Sequence, residues 1–334
     1  MRILVTGGSG FIGSHLLNLL VPAHPEHSFI NVDVLTYAAD ISRINPEVRE
    51  KVTLEVVDIT DRKGINAIFD RHQPQAVIHL AAETHVDRSI ENPPAGPHQF
   101  LNTNIFGTFN LLDACRRYWA NGSGRFLHVS TDEVYGSLAP DDPLSSEGDV
   151  HHPSSPYAAS KSAADGIVGA YYTTYGVPTM ISHGANTFGW GQDTEKLIPK
   201  FITRAFEGQP LTVYGDGTSI RDWIHTEDHC EGLWRIFEEG EPGETYNIPG
   251  NNPLKNNELI HRLLKVVAKI SDRSVGELYK LLVHTVDRLG ADSRYGMNGT
   301  KMKEKLGWEP RQDFAERLEE VVEWHLLQHP PILK

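Results

Sequence analysis

The first half of the chain alternates short apolar runs with amphipathic segments, and this alternation restricts the fold more than any other feature. The apolar runs predict buried strands at residues 3–5, 29–32, 54–57, 76–80, 126–129 and 179–182. The amphipathic segments predict helices at residues 12–20, 62–72, 104–118 and 158–175. Buried strands that alternate with helices indicate an α/β fold, with a doubly wound parallel sheet covered on both faces. Ligands of such sheets bind at the carboxyl ends of the strands.

A glycine-rich turn follows the first predicted strand directly and opens the first predicted helix. Gly7, Gly8, Gly10 and Gly13 satisfy both G-x-G-x-x-G and G-x-x-G-x-x-G. Such a turn lets backbone N–H groups approach a pyrophosphate at the positive end of a helix. Asp33 ends the second strand, where its carboxylate can bind the adenosine ribose and repel a 2′-phosphate. The sequence therefore predicts a Rossmann-type site for NAD rather than NADP.

Residues that follow the third and fourth strands extend this predicted cofactor site. Asp58 and Ile59 are positioned to meet adenine, and Ala81 and Ala82 are small enough for the cofactor to lie across them. Since ligands bind at this edge of the sheet, we expect all four residues to contact NAD.

The alternation of strands and helices breaks down near residue 186, where segments become shorter and richer in Gly and Pro. We therefore predict an NAD-binding Rossmann domain over residues 1–185 and a smaller C-terminal substrate lobe over 186–217 and 241–334. Residues 218–240 are expected to pack back on the first domain. Further helices are predicted at residues 196–206, 226–238, 257–269 and 314–328.

Charge and composition exclude several classes of partner. The formal net charge of −13 disfavours binding to nucleic acid or to an anionic membrane. We find neither a signal peptide nor an apolar run that could span a bilayer, so we expect a cytoplasmic protein. Cys115 and Cys230 are far apart in the sequence, do not match the spacing of metal ligands and are expected to be buried thiols.

Tyr157 and Lys161 lie four residues apart near the start of a predicted helix, so both side chains face the same way. The ammonium group and the positive nicotinamide ring are expected to lower the pKa of Tyr157. Tyr157 could then remove a proton from a substrate hydroxyl while hydride leaves the same carbon for NAD. By itself this spacing is also typical of an exposed helix face, and it is the preceding glycine turn that favours a catalytic role.

Thr131, Asp132 and Glu133 follow the fifth strand. Thr131 can hydrogen-bond an oxygen that becomes a carbonyl. Elimination of water needs one carboxyl to protonate the leaving hydroxyl and another to accept a carbon-bound proton. Neighbouring carboxyls tend to keep one of the two protonated, which suits these roles. A solvent-exposed acidic pair in a loop would give the same sequence.

Thr131, Asp132 and Glu133, together with Tyr157 and Lys161, resemble the catalytic motifs of the dTDP-glucose 4,6-dehydratases. These enzymes are extended short-chain dehydrogenase/reductases. The resemblance also includes residues 79–89, 195–199, 213–217, 221–223 and 307–308, and thus almost the whole chain. Related nucleotide-sugar epimerases and decarboxylases share the glycine turn and the Tyr–Lys pair. The adjacent Asp132 and Glu133 distinguish the dehydratases from them.

The resemblance implies a lyase of deoxysugar biosynthesis that converts dTDP-glucose to dTDP-4-keto-6-deoxyglucose and water. It implies oxidation of C4 by bound NAD with Tyr157 as base, elimination of water across C5 and C6, and return of hydride to C6. Glu133 would remove the C5 proton and Asp132 would protonate the 6-hydroxyl. It also implies a homodimer formed through the helices at 104–118 and 158–175.

The resemblance also assigns most of the substrate contacts, and together with the motifs above it completes the predicted site. The substrate contacts are Thr131 and, by the resemblance, His85, Asn186, Lys196, Leu197, Thr212, Val213, Tyr214, Arg221, Asn256 and Arg288. The further cofactor contacts are Phe11, Ile12, Leu35, Thr36, Leu80, Thr84, Thr103, Ser130, Tyr157, Lys161 and Thr187. No metal site is predicted, because His151 and His152 lack further ligands in the sequence, and a loop is the better interpretation.

Four positions depart from the family pattern. His183 stands where the family usually has Arg, Trp190 lies in an altered turn, and Pro249 and Ala291 replace other residues. We expect all four around the sugar-nucleotide pocket, so the substrate could instead be a UDP-, CDP- or GDP-linked hexose. An epimerase or decarboxylase of the same superfamily, using the same Tyr–Lys pair and NAD, is an alternative. The intact Tyr157, Lys161, Asp132 and Glu133 argue against a third alternative, a catalytically idle NAD-binding regulator.

Overall fold

The computed structural model describes residues 1–90, 96–119, 122–311 and 313–328. Its strands are β1 (Arg2–Thr6), β2 (Ser28–Asp33), β3 (Val52–Val56), β4 (Ala76–His79), β5 (Arg125–Thr131), β6 (Thr179–Gly184), β7 (Asn186–Phe188), β8 (Leu211–Tyr214), β9 (Ile220–His225), β10 (Thr245–Ile248), β11 (Pro253–Lys255) and β12 (Leu282–Thr285). Seven of these strands, all parallel, form the large sheet in the order β10-β6-β5-β4-β1-β2-β3. The predicted doubly wound α/β fold is confirmed.

The helices follow the predicted pattern closely, and the two predicted at 62–72 and 314–328 agree at both ends. They are α1 (Phe11–Ala23), α2 (Pro46–Arg49), α3 (Arg62–His72), α4 (Val86–Ile90), α5 (Gly96–Phe100), α6 (Thr108–Tyr118), α7 (Pro156–Tyr175), α8 (Leu197–Glu207), α9 (Thr226–Glu239), α10 (Asn256–Ser271), α11 (Val275–Tyr279), α12 (Thr300–Leu306) and α13 (Phe314–Gln328). No described helix is both long and apolar enough to cross a membrane.

The helix predicted at 104–118 differs from the prediction at its start. Leu101–Gly107 forms π-helical turns that join α5 to α6. At this wider turn the Asn104 carbonyl accepts a side-chain hydrogen bond, which the Thr108 hydroxyl donates at 2.6 Å. A hydrophobic pattern does not distinguish this geometry from an ordinary α-helix, because both bury one face.

Alternate residues of β1 face two separate cores. Ile3 and Val5 pack with residues of α1 and α9, whereas Leu4 between them packs with residues of α3 and α6. Because successive side chains of a strand point to opposite faces, a strand buried on both sides carries an unbroken apolar run.

The smaller lobe contains the three-stranded sheet β11-β9-β7 and the two-stranded sheet β12-β8. Helices α8, α10 and α13 pack together beside these sheets around Phe201, Leu263 and Val322. The sequence-based boundary is wrong at one element, since β10 lies within 241–334 but extends the large sheet beside β6. This strand has only four residues before Pro249, too few for a periodicity that would reveal its sheet.

Candidate active site

A cavity of about 540 Å³ opens at the carboxyl ends of the large sheet and extends toward the smaller lobe. Its volume lies in the range that binds a cofactor or a small molecule. Every residue predicted to contact cofactor or substrate lines it, with the exception of Leu35. The Leu35 backbone has φ +56°, and its N–H donates to Asp33 at 2.9 Å, so it turns the chain beside the cavity.

The glycine turn at the start of α1 is too closely packed for side chains. Gly7 has φ +71°, and a Cβ on Gly13 would lie 2.1 Å from the Gly7 carbonyl oxygen. Gly10 precedes α1 and has no side chain to cap the first turn of the helix. The N–H groups at this end of α1 therefore lie where an anionic group could accept their hydrogen bonds.

Asp33 lies beside the glycine turn and is held there by backbone hydrogen bonds. Its carboxylate accepts from Ser9 N at 3.0 Å and from Leu35 N at 2.9 Å. The side chain lines the cavity, and an ionised carboxylate has lone pairs beyond those two bonds. Asp33 thus stabilises the turn and also lies where its carboxylate could accept hydrogen bonds from ribose hydroxyls.

The five predicted catalytic residues come together at the centre of the cavity. Strand β5 ends at Thr131, and its hydroxyl accepts from Glu133 N at 3.3 Å, which starts a tight turn through both carboxylates. Helix α7 begins after Ser155, whose hydroxyl accepts from Ala158 N at 3.1 Å. This cap fixes the first turn of α7, which carries Tyr157.

The two neighbouring carboxyls differ in burial and in electrostatic surroundings. Burial, with repulsion from Glu133 and Asp222, raises the pKa of Asp132 well above its usual value. Burial also raises the pKa of Glu133, but Arg288, Lys196 and Arg221 act in the opposite direction. Asp132 is therefore suited to hold a proton, while Glu133 is the better candidate for the ionised partner.

The protein groups around Tyr157 raise its pKa, contrary to the sequence-based expectation. Burial is the main cause, and the negative charge of Glu133 adds to it. Burial also lowers the pKa of Lys161 to about 8, and its ammonium donates to the Val129 carbonyl at 2.8 Å. A spacing pattern reports that two side chains share a face, but it does not report the cost of desolvation.

Lys196, Arg221 and Arg288 are among the cationic side chains that line the substrate side of the cavity. Lys196 Nζ donates to the Thr84 carbonyl at 3.0 Å, and Arg288 lies 3.3 Å from the Asp87 carboxylate. Arg221 donates to the carbonyls of residues 220 and 292 and stacks 4.3 Å from the centre of the Tyr295 ring. Such groups suit a diphosphate.

Several buried polar atoms of cavity residues have no hydrogen-bond partner within the described ranges. They are Asp132 Oδ2, Asn186 Oδ1, Gln192 Oε1, Trp223 Nε1, His229 Nε2, Asn256 Oδ1 and Arg288 Nε. A buried polar group without a partner costs about 1–3 kcal/mol. A polar ligand in the cavity would remove this cost.

The sequence-based reasoning missed some functional candidates. Tyr295 lines the cavity beside Arg221, and Tyr37 lines it beneath the Arg88 guanidinium, 3.8 Å from the ring centre. Arg88 in turn binds Glu195 at 2.5 Å. No motif marks the two tyrosines, because they lie in loops and reach the cavity only through the tertiary fold.

Only one of the four departures from the family pattern lines the cavity. Ala291 does so, whereas His183 is buried beneath it and Pro249 packs near Gly299. The Trp190 ring lies 3.9 Å from the ring of His15. The expectation that all four surround the sugar-nucleotide pocket is therefore wrong, and the case for an altered substrate is correspondingly weaker.

Comparison with known proteins matches nearly the whole chain to one family. The family model for GDP-mannose 4,6 dehydratase matches residues 4–321. A probable dTDP-glucose 4,6-dehydratase of Sinorhizobium fredii is 44% identical, and the alignment covers 98% of this chain and 93% of that relative. The chain belongs to the dTDP-glucose 4,6-dehydratase family.

Two further members of the dTDP-glucose 4,6-dehydratase family support this assignment. The enzyme of Haemophilus influenzae is 42% identical, with 98% of each chain covered. The crystal structure of DesIV, the dTDP-glucose 4,6-dehydratase of Streptomyces venezuelae, superposes with a TM-score of 0.88 at 38% identity and 98% coverage of both chains. That structure contains NAD.

Proposed function

We propose that this protein is an NAD-dependent hydro-lyase that converts dTDP-glucose to dTDP-4-keto-6-deoxyglucose and water. The pair of neighbouring carboxyls that line the cavity, Asp132 and Glu133, carries the proposal, because both have a raised pKa and lie near Tyr157. Hydride transfer alone needs one base, whereas elimination of water needs an acid and a base on neighbouring carbons. Membership of the dTDP-glucose 4,6-dehydratase family supports the same activity.

The cofactor side of the cavity fits NAD. The uncapped first turn of α1 beyond Gly10 would bind the pyrophosphate, and Asp33 would bind the ribose. A carboxylate at that place disfavours the 2′-phosphate of NADP. Bound NAD would accept a hydride from C4 of the sugar and later return it to C6, while C5 takes up a proton again.

Tyr157 would accept the proton of the 4-hydroxyl, and Thr131 would hydrogen-bond the same oxygen. Because burial disfavours the phenolate, Tyr157 is neutral in the protein alone and needs positive charge nearby to act as a base. Lys161 supplies one such charge from the next turn of α7.

Glu133 would then remove the C5 proton, which the new 4-keto group acidifies, and Asp132 would protonate the departing 6-hydroxyl. Asp132 is suited to this role because burial raises its pKa and so favours the protonated form. Burial lowers the pKa of Lys196, and Glu133 nearby acts in the opposite direction. The Lys196 Nζ lies at the cavity, where it would bind the diphosphate. The keto product is the kind of intermediate that deoxysugar biosynthesis consumes.

The activity is tested by incubating the purified protein with dTDP-glucose and with the UDP, CDP and GDP analogues. We expect a 4-keto product that absorbs in alkali and has lost one water by mass spectrometry, formed fastest from dTDP-glucose. A product of unchanged mass would indicate an epimerase, and loss of carbon dioxide from a uronic acid analogue would indicate a decarboxylase. Faster turnover of another nucleotide would reassign the base.

We further propose that the protein is a homodimer formed through two helical segments. They are α7 and α6, the latter with the π-helical turns Leu101–Gly107 that precede it. The outward face of α7 carries small residues at Ala159, Ala163, Gly166 and Ala170, and Phe106 beside it is 59% exposed. Small residues let two helices approach closely, and a large exposed aromatic ring favours burial. Gel filtration should give the mass of a dimer, and Ala163→Arg should give a monomer.

The two cysteines, Cys115 and Cys230, are free and buried. Free thiols fit a reducing compartment, and we propose that the enzyme works in the cytoplasm.

A further inference from the structure

A cluster of buried polar side chains lies beneath the floor of the cavity, and the proposed mechanism uses none of them. Asp165 of α7, His128 of β5 and His183 of β6 are 5%, 0% and 1% exposed. Tyr135 and Asn247, also buried, extend the cluster away from the cavity. Buried ionisable groups are costly unless they are paired, so the protonation state of each can be worked out from its partners.

Asp165 is ionised. Its Oδ2 accepts from the Ser130 hydroxyl at 3.0 Å and lies 3.1 Å from His183 Nε2. Although burial alone would raise its pKa, the neighbouring His128 and His183 rings outweigh this and hold the pKa of Asp165 below its usual value. An ionised carboxylate only accepts hydrogen bonds, so His183 Nε2 must carry a proton.

The other ring nitrogen of His183 must also carry a proton. Asn247 Nδ2 donates to the carbonyls of residues 145 and 298, at 3.0 and 3.3 Å, which fixes its Oδ1 toward Tyr135. The single hydroxyl proton of Tyr135 goes to that oxygen at 2.8 Å. The Tyr135 oxygen can then only accept from His183 Nδ1, which lies 2.6 Å away.

We propose that His183 is a buried imidazolium ion that pairs with Asp165 and thereby acts as a positioning residue for Lys161 and Ser130. Both its ring nitrogens are required as donors, which only the cation provides.

Asp165 transmits this effect to the active site through short contacts. It lies four residues after Lys161 on α7 and binds Ser130, the residue before Thr131. His128 Nε2 lies 3.4 Å from both Asp165 Oδ1 and Lys161 Nζ. Burial, with the nearby Lys161 charge, lowers the pKa of His128 to about 4, so His128 is neutral and Asp165 faces the charges of His183 and Lys161.

Other charged and titratable groups surround the pair at greater distance. The His151 ring centre lies 5.4 Å from that of His183, and Glu147 accepts from the Asn247 backbone at 3.0 Å. Ligand-type atoms of His151, Asp165 and His183 lie within 4.8 Å of one another, an arrangement that could also hold a metal ion. The hydrogen bonds to His183 and Asp165 favour the ion pair, because a metal ion would displace them.

The protonation state is measured directly, in a way that does not depend on the proposed function. Two-bond ¹H–¹⁵N spectra of the histidine rings would be recorded at about pH 8, where an ordinary imidazole is neutral. We expect one buried histidine with both nitrogens protonated, and loss of its signals in His183→Gln would assign it. A neutral tautomer of His183, or one tightly bound zinc ion per chain by elemental analysis, would overturn the proposal.

The positioning role rests on the proposed dehydratase function and is measured on the intact enzyme with dTDP-glucose. His183→Gln should lower kcat between about 10- and 100-fold with little change in KM, because displacement of a catalytic group costs rate rather than binding. His183→Arg, a permanent cation, should restore most of the rate. Equal rates for Gln and Arg, or loss confined to KM, would contradict the role.

If His183→Gln does not fold, the spectra of the wild-type protein and the His183→Arg rate still decide the proposal. If the wild-type protein turns over no nucleotide sugar, the proposed function fails while the imidazolium ion remains measurable.

Discussion

The two sides of the cavity are built differently. The proposed pyrophosphate end of the cofactor side is formed by backbone groups of one continuous stretch, the glycine turn between β1 and α1, and the neighbouring Asp33 is held by backbone N–H groups. The substrate side consists of side chains such as Lys196, Arg221 and Arg288, which come from separate segments and are held by other side chains and carbonyls. A backbone site tolerates almost no change of shape, whereas a side-chain site can alter its specificity one residue at a time.

Removal of one catalytic carboxylate should have the largest effect and should leave the cofactor side untouched. Glu133→Gln is expected to lower kcat on the order of 1,000-fold or more, because the C5 proton loses its base. Entry of solvent deuterium at C5, followed by mass spectrometry, should disappear while NAD affinity stays the same. The control is Glu207→Gln at an exposed position, and undiminished exchange in Glu133→Gln would remove this residue from the role.

Addition of a single methyl group at Gly13 should weaken NAD binding on the cofactor side. A Cβ in Gly13→Ala would lie 2.1 Å from the Gly7 carbonyl oxygen, so the turn must shift. We expect NAD affinity, measured by isothermal titration, to fall about 100-fold, which corresponds to about 2.7 kcal/mol. Gly148→Ala is the matched control, because a Cβ there meets nothing within 4 Å. Unchanged affinity in Gly13→Ala would mean that the cofactor side is as adaptable as the substrate side.

Substitution of Arg221 should weaken ligand binding on the substrate side alone, and by a smaller factor than Gly13→Ala weakens NAD binding. Arg221→Gln is expected to weaken dTDP binding about tenfold, because one charge-assisted contact to the diphosphate is lost, while NAD binding is preserved. Arg235→Gln, which removes a surface charge paired with Glu239, is the control. Isothermal titration with both ligands gives the answer, and equal weakening of NAD and dTDP would refute the division.

The same difference explains how far the sequence predicted the molecule. The glycine turn, Asp33 and the pair Tyr157 and Lys161 could be located because each depends on neighbours in the sequence. The ring of Tyr295 and the raised pKa of Tyr157 could not, because they depend on burial produced by distant segments. His183 shows both cases, since its departure from the family pattern was visible but its ion pair with Asp165 required the fold.

The smallest effect that we expect is a gain in stability from the loss of a catalytic acid. Burial raises the pKa of Asp132, so the folded state binds its proton more tightly than the unfolded state. Stability from this proton is present below the unfolded pKa of about 3.9 and is lost as pH rises through the higher folded pKa. Asp132→Asn remains neutral throughout and escapes this loss.

The melting temperature of Asp132→Asn should therefore exceed that of the wild-type protein by about 2–4 °C at pH 8, and the difference should shrink toward pH 4. Dehydration should be abolished in the same variant. Calorimetry across this pH range checks the prediction, with the exposed Asp141→Asn as a control that changes neither quantity. A difference that is constant with pH would mean that Asp132 is not a buried acid, and the substrate side would then lack the desolvated group that sets it apart from the cofactor side.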